Sequence, residues 1–220
     1  MIRPGWLVAA CTLALGLFAG PAAAQTKIPL TREQALAEIK SEDLELRRRA
    51  AAWLGELGGP ADAPPLLGAL TDPDEVVRVL AEQSVWQVWS RSGDKDVDAQ
   101  FQVGLEQMNR GDGPGAVETF SRIIQRRPDF AEAWNKRATI YFLMGENEKS
   151  LHDCDEVMKR NPAHFGALAG YGQIYLRLDQ PERALGYFRR ALRINPNMRG
   201  VEEVIPQIEQ LLTERRKGTI

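Results

Sequence analysis

The chain has 220 residues, 44% of them hydrophobic and 26% charged, and its 28 Lys and Arg against 30 Asp and Glu give a formal net charge of −2. That balance leaves no basic excess for a nucleic-acid platform, whose footprint is a basic patch or stripe. Of the two cysteines and two histidines, none forms a His-Cys or His-carboxylate cluster with metal-ligand spacing.

The N-terminus carries Arg3, then an apolar run from Trp6 to Ala19, then Gly20, Pro21 and Ala22-Ala23-Ala24 before Gln25. This is the layout of a secretory signal peptide over residues 1–24, with cleavage after Ala24. The apolar run, about 14 residues, is short for a membrane span, although an uncleaved N-terminal anchor is the alternative. Val8-Ala9-Ala10-Cys11 has the shape of a lipid-attachment motif, but most of the apolar run lies after Cys11. Removing residues 1–24 takes Lys+Arg from 28 to 27 and leaves Asp+Glu at 30, so the mature formal charge is −3. No later apolar stretch approaches membrane-spanning length. The expected location is the periplasm or the exterior. The single mature cysteine, Cys154, has no intramolecular disulfide partner and reads as a small buried hydrophobe.

Residues 25–96 form one segment. Thr31 with Gln34 reads as a capping box opening a helix through Lys40. A second helix covers about Leu44–Leu57, stopped by Gly58-Gly59-Pro60, and a third covers Pro64–Leu70. Asp72-Pro73-Asp74 starts a fourth, reaching Arg91, with Asp72 as N-cap. Arg47-Arg48-Arg49 reads as solvent-facing, as does Arg189-Arg190. A period of 31 residues runs through this segment: Leu46-Arg47 aligns with Val77-Arg78, Ala50 with Ala81, Leu54 with Val85, and Leu57 with Val88. With Leu54-Gly55-Glu56-Leu57-Gly58, this pattern is similar to the short HEAT-repeat family over roughly residues 43–91. Its second copy departs at Val85-Trp86-Gln87-Val88-Trp89. The alternative is a further pair of degenerate hairpins of the kind that follows. Trp86 or Trp89 is expected to pack on the first hairpin of the second array.

After a polar turn at residues 91–96, Pro128, Pro162 and Pro196 stand 34 residues apart. Each is placed to end a helix, since proline lacks an N–H and biases its predecessor away from helix. Trp134, Ala138, Tyr141, Gly145, Cys154 and Val157 align with Leu168, Gly172, Tyr175, Asp179, Phe188 and Ala191 at the same offsets. Gly104, Gly111, Ala116, Phe120 and Ile123 precede them in a weaker copy. Small residues recur where helices must approach closely, and aromatics fill the space between helices. This pattern resembles the tetratricopeptide repeat family over residues 97–198, in units 97–130, 131–164 and 165–198. The resemblance implies an all-α solenoid of helical hairpins, since such units bury their apolar faces only by stacking. Residues 199–220 complete it as a capping helix and tail, with an apolar face at Val201, Val204, Ile205, Ile208, Leu211 and Leu212. Pro206 is harmless if that helix starts near Val204 or Ile205, and otherwise predicts a kink.

No catalytic or metal-binding set is assigned, and no cofactor. His152-Asp153-Cys154-Asp155 cannot converge on a metal from one helix, because adjacent positions do not face each other. His164 follows the Asn161-Pro162-Ala163 turn and reads as a packing or surface histidine. Gly111-Asp112-Gly113-Pro114-Gly115 reads as a helix–helix turn rather than a phosphate loop, having no strand before it and no lysine in place. The family resemblance implies that the first helix of each pair lines a concave surface. Helical spacing then places Phe101, Leu105 and Met108, Asn135, Thr139 and Phe142, and Gln173 and Leu176 there, with Asp98, Glu132, Gly166 and Ala169 beside them. Amides suit an extended peptide backbone and apolar residues its side chains. The Lys and Arg of a carboxylate clamp are missing at these places, so that role is not transferred. An alternative is that this surface packs against the chain's own N-terminal half. The expected function is protein or peptide binding by an exported scaffold in envelope assembly or trafficking, or by a non-catalytic accessory subunit of an envelope enzyme or transporter.

Overall fold

The computed structural model describes residues 30–218; the signal-peptide reading and Cys11 lie outside them. Those residues form eleven α-helices and no strand. The first four are α1 (Arg32–Glu38), α2 (Leu44–Leu57), α3 (Ala63–Ala69) and α4 (Glu75–Trp89), and α3 and α4 begin 31 residues after α1 and α2. Thr31 and Gln34 make a full capping box on α1, which stops at Glu38. Asp43 and Asp74, also 31 apart, cap α2 and α4 by accepting from backbone N–H groups of the first turn. Such a cap satisfies donors the helix cannot satisfy itself.

The 31-residue period is also written in hydrogen bonds. Arg47 Nη1 donates to the Ser41 and Glu42 carbonyls, both at 3.0 Å. Arg78 Nη1 does the same to Asp72 (2.8 Å) and Pro73 (3.1 Å). The arginine triplet is therefore not simply solvent-facing. Arg47 also grips Asp72 through two bonds of 2.7 and 3.1 Å, Arg48 grips Asp74, and Arg49 pairs with Glu38. Sequence periodicity gave these residues a face but could not show that the next loop's carboxylates curl back onto it. Asp72 accordingly serves as an arginine partner, while Asp74 is the N-cap.

The second array keeps strict time. Its first helices are α5 (Lys95–Asn109), α7 (Ala131–Leu143) and α9 (Phe165–Arg177); their partners are α6 (Gly113–Arg126), α8 (Asn147–Arg160) and α10 (Pro181–Ile194). Both bounds of α9 lie 34 residues after those of α7, and the bounds of α10 stand likewise to α8. Each hairpin turns through a left-handed residue at the same phase: Gly111, Gly145 and Asp179, with φ of 78°, 81° and 58°. Gly adopts this conformation freely; in the third unit Asp, which tolerates it better than most residues, stands in.

Small and large residues trade volume across each hairpin. A Cβ on Gly172 would sit 2.5 Å from the Phe188 ring, and one on Gly104 would sit 2.6 Å from Phe120. In the middle unit Ala138 takes the glycine's place, and the smaller Cys154 takes the phenylalanine's; both are buried. Units are also tied to each other. Arg137 of α7 holds the buried Asp153 of α8 through bonds of 2.7 and 2.9 Å and reaches back to Ser121 Oγ of α6 at 2.9 Å.

The closing helix α11 (Arg199–Lys217) packs on α10 with Val201, Ile208 and Leu212 buried and Leu211 exposed. It starts earlier than Val204, so Pro206 lies inside the helix, where the missing N–H costs one backbone bond on an exposed side.

Gly172→Ala should lower stability despite the better helix propensity of alanine. The propensity gain is about 1 kcal/mol, whereas crowding a buried ring costs roughly 1–3 kcal/mol. Gly186→Ala, on α10 with open space around it, isolates the propensity term and should stabilise. Denaturant titrations of both variants check this; equal effects of the same sign would refute the packing role of Gly172.

Candidate functional site

Trp86 and Trp89 end α4, and they do join the two arrays, but not through the first hairpin of the second. They pack where α8 turns into α9. Trp89 stacks on His164 with ring centroids 4.4 Å apart, and both tryptophans contact Phe165 at 5.0–5.1 Å. Gly166 leaves room for Trp86, whose ring edge would lie 2.4 Å from a Cβ there. Lys136 of α7 sits over the same Trp86 ring at 5.5 Å. Sequence spacing marks the tryptophans as departures from the repeat, but the destination depends on how far the chain has curved by the third unit.

Under the tryptophans lies a buried polar network. His164 Nδ1 accepts the Ala167 N–H at 3.0 Å, capping α9. With Nδ1 an acceptor, Nε2 carries the proton and donates to Glu132 at 2.8 Å. Glu132 also receives Lys136 at 2.9 Å and the Asn135 amide at 3.2 Å. Burial alone would raise the Glu132 carboxyl; Lys136 and His164 outweigh it and hold the group at about 2.

Along α7 and α9, the concave face continues from this network. Asn135, Thr139, Phe142 and Gln173 line one hollow, floored by Ala138, Gly166 and Gly170, with a volume of about 40 Å³. Thr139 is exposed and Gln173 half-buried. Trp86 over Gly166 closes one end, so the N-terminal half meets the concave face there and leaves the hollow open. Towards the other end Arg177 lies 3.6 Å from the Phe142 ring and donates to its carbonyl. The other expected contacts are placed differently. Phe101 is fully buried against Phe120 and Phe130, at 5.5 and 5.2 Å. Leu105 and Met108 are half-buried beside the first unit's core, and Leu176 is half-buried beside that of the last units. Ala169 is buried, and Asp98 is turned to Ser92.

Cys154 is buried between the helices of the middle hairpin. Burial, with Asp153 and Asp155 beside it, pushes the Cys154 thiol up to about 12, far from the thiolate range that reactivity needs. Among the described residues no group of three or more His, Cys, Asp or Glu converges as a metal site, and no helix is long and apolar enough to cross a membrane.

Models of the tetratricopeptide repeat match residues 103–157 and 165–198. A TPR repeat-containing protein of Rhizobium etli is 30% identical over 145 residues, covering 66% of this chain and 70% of that protein. The chain belongs to the tetratricopeptide repeat family. The Hsp70-Hsp90 organizing protein of Triticum aestivum is 20% identical over 157 residues, 71% of this chain but 26% of that protein. Among solved structures, the first TPR of Spaghetti bound to an HSP90 peptide has a TM-score of 0.52 at 19% identity, covering 54% of this chain and 94% of that one. The TPR2B domain of yeast Sti1 in complex with an Hsp70 peptide has a TM-score of 0.50 at 18% identity, covering 54% and 99%.

The Glu132 network predicts acid sensitivity. A carboxyl held at about 2 against an ordinary 4.5 stabilises the fold fully above pH 4.5, and that contribution disappears as pH falls towards 2. Glu132→Gln should be destabilised by roughly 3 kcal/mol at pH 7, since it strands Lys136 and His164, and should lose less further stability between pH 5 and 2.5. Urea midpoints across that range measure both. A variant with the wild-type acid profile would show that the network does not carry the effect.

Proposed function

We propose that the chain is an exported scaffold that works by binding rather than catalysis. It holds an extended segment of a partner protein along the concave face of α7 and α9, in assembly or trafficking within the cell envelope. The observation that carries this is the small hollow between the two helices, where the Gln173 amide and the Thr139 oxygen, whose proton goes to the Asn135 carbonyl, lie beside the Phe142 ring. An extended strand needs this mixture, polar groups for its backbone and apolar surface for alternate side chains. The fold neighbours bound to HSP90 and Hsp70 peptides lend support, as members of the same family that take peptides. The small glycine and alanine floor lets a backbone approach closely. Basic groups near the hollow are already engaged: Lys136 by Glu132, Arg177 by the Phe142 carbonyl and ring. That favours a ligand held by its backbone over one held by a terminal carboxylate.

Thr139→Trp combined with Gln173→Ala should cut crosslinked partner by roughly tenfold, equivalent to about 1.4 kcal/mol, while circular dichroism stays unchanged. Undiminished capture would place binding elsewhere.

Export rests on residues 1–24, where a charged start, an apolar run and Ala22-Ala23-Ala24 stand in order. Intact mass of the protein recovered from cells should correspond to a chain beginning at Gln25. A cytosolic full-length species would overturn the export reading, and a membrane-bound full-length species would replace it with an anchor.

A further inference from the structure

The seam between the arrays contains a second, larger opening that the concave face does not use. It is a cleft of about 530 Å³, with walls from α3, the end of α4, and the two turns at Pro128 and Pro162. Its apolar wall includes Leu67, Trp89, Phe130 and Pro162, and three arginines, Arg91, Arg127 and Arg160, line it from three different segments. That volume is in the range of ordinary ligand pockets, roughly 300–1,000 Å³, and takes a few residues of extended chain.

The arginines are positioned by the protein yet not used up by it. Arg91 donates Nη1 and Nη2 to the Gly58 and Glu56 carbonyls. Arg127 gives Nε and Nη2 to Asp129. Arg160 gives Nε to the Pro128 carbonyl and Nη1 to Glu156. Among the described residues, Nε of Arg91, Nη1 of Arg127 and Nη2 of Arg160 meet no acceptor. Asn161, in the same wall, uses its Oδ1 to receive the Ala163 N–H, and its amide nitrogen likewise meets no acceptor.

The charge count favours an anion. The two carboxylates of the cleft are matched already, Asp129 by Arg127 and Glu132 by Lys136. Among the described residues Arg91 has no carboxylate partner, and Arg160 shares Glu156 with Lys159. A net positive rim around an apolar wall complements a segment in which acidic residues flank a large apolar one.

We propose that this seam cleft is a second protein-binding site, taking an extended acidic segment of a partner whose apolar side chain rests on Leu67, Pro64 and Pro162, with the edges of the buried Trp89 and Phe130 behind them. Guanidinium groups suit this role, because they remain charged and offer forked donors to carboxylates. The concave face and the seam would then hold two parts of one partner, or two partners, at fixed separation.

The test uses purified protein and a fluorescein-labelled peptide, Asp-Glu-Leu-Trp-Glu-Asp, read by anisotropy, beside the same peptide with Asn and Gln for its acids. The acidic peptide should bind roughly tenfold or more tightly than its neutral isostere, and the gap should shrink as salt rises. Arg127→Gln with Arg160→Gln should weaken the acidic peptide by roughly tenfold. Pro64→Glu is the second variant: it puts a carboxylate at the cleft's exposed lip, in the first turn of α3 where acids are tolerated, and it should weaken binding similarly. The groove variant Thr139→Trp with Gln173→Ala should bind the acidic peptide as wild type does, which separates this site from the concave face. Equal binding of the neutral peptide, indifference to both cleft variants, or loss in the groove variant alone would overturn the proposal.

Discussion

His164 is the joint on which the molecule depends. It is fully buried and does three things at once: it caps α9, donates to Glu132 across the preceding unit, and stacks on Trp89 of the first array. Each role fixes a different relation, namely where the last hairpin starts, how it sits on the middle one, and where the N-terminal half docks. Sliding one array against the other would unstack Trp89 from the ring whose nitrogens cap α9 and satisfy Glu132 within the second array. A second tie reinforces the same seam. Arg78 repeats the carbonyl contacts of Arg47, but where Arg47 finds Asp72, Arg78 finds Asn197 Oδ1 at 3.1 Å, in the turn before α11. Asn197 also donates to the Leu70 carbonyl at 2.9 Å. The second array thus supplies a partner for Arg78 in the place that Asp72 takes for Arg47.

The parts legible in the sequence are those set by local rules repeated at a fixed interval. Small-to-large pairs such as Gly172 with Phe188, turn residues such as Gly145, and helix-ending prolines announce themselves because each unit must solve the same packing problem. Asp179 in the glycine position is legible once the register is known. What could not be read were contacts between distant segments. Trp86 and Trp89 stand out by size, yet only the curvature of the array brings the third unit rather than the first beneath them. The arginine triplet looked like a charged face because its partners, Asp72, Asp74 and Glu38, come from other turns. Of the groove residues, Asn135, Thr139, Phe142 and Gln173 share one hollow because they sit on two neighbouring helices. Phe101 shares their helical phase, but Phe130 from the following turn folds over it. Glu132 was expected on the groove side; it is buried, held there in its charged form by His164 and Lys136.

These contacts also limit how a ligand can approach. Trp86 seated over Gly166 closes the concave face at the start of α9, which leaves the Phe142 end as the approach in the proposed binding mode. The stop is rigid: moving Trp86 exposes Phe165, which is fully buried, and breaks the contact of its ring with Lys136. The seam cleft lies on the other side of the same residues, since His164, Glu132 and Trp89 belong to its wall. Trp89 in the cleft wall stacks on His164, which bonds Glu132, which in turn receives the Asn135 amide at the edge of the hollow. The two openings border one buried network, with Glu132 in the wall of the cleft and bonded to Asn135 at the edge of the hollow.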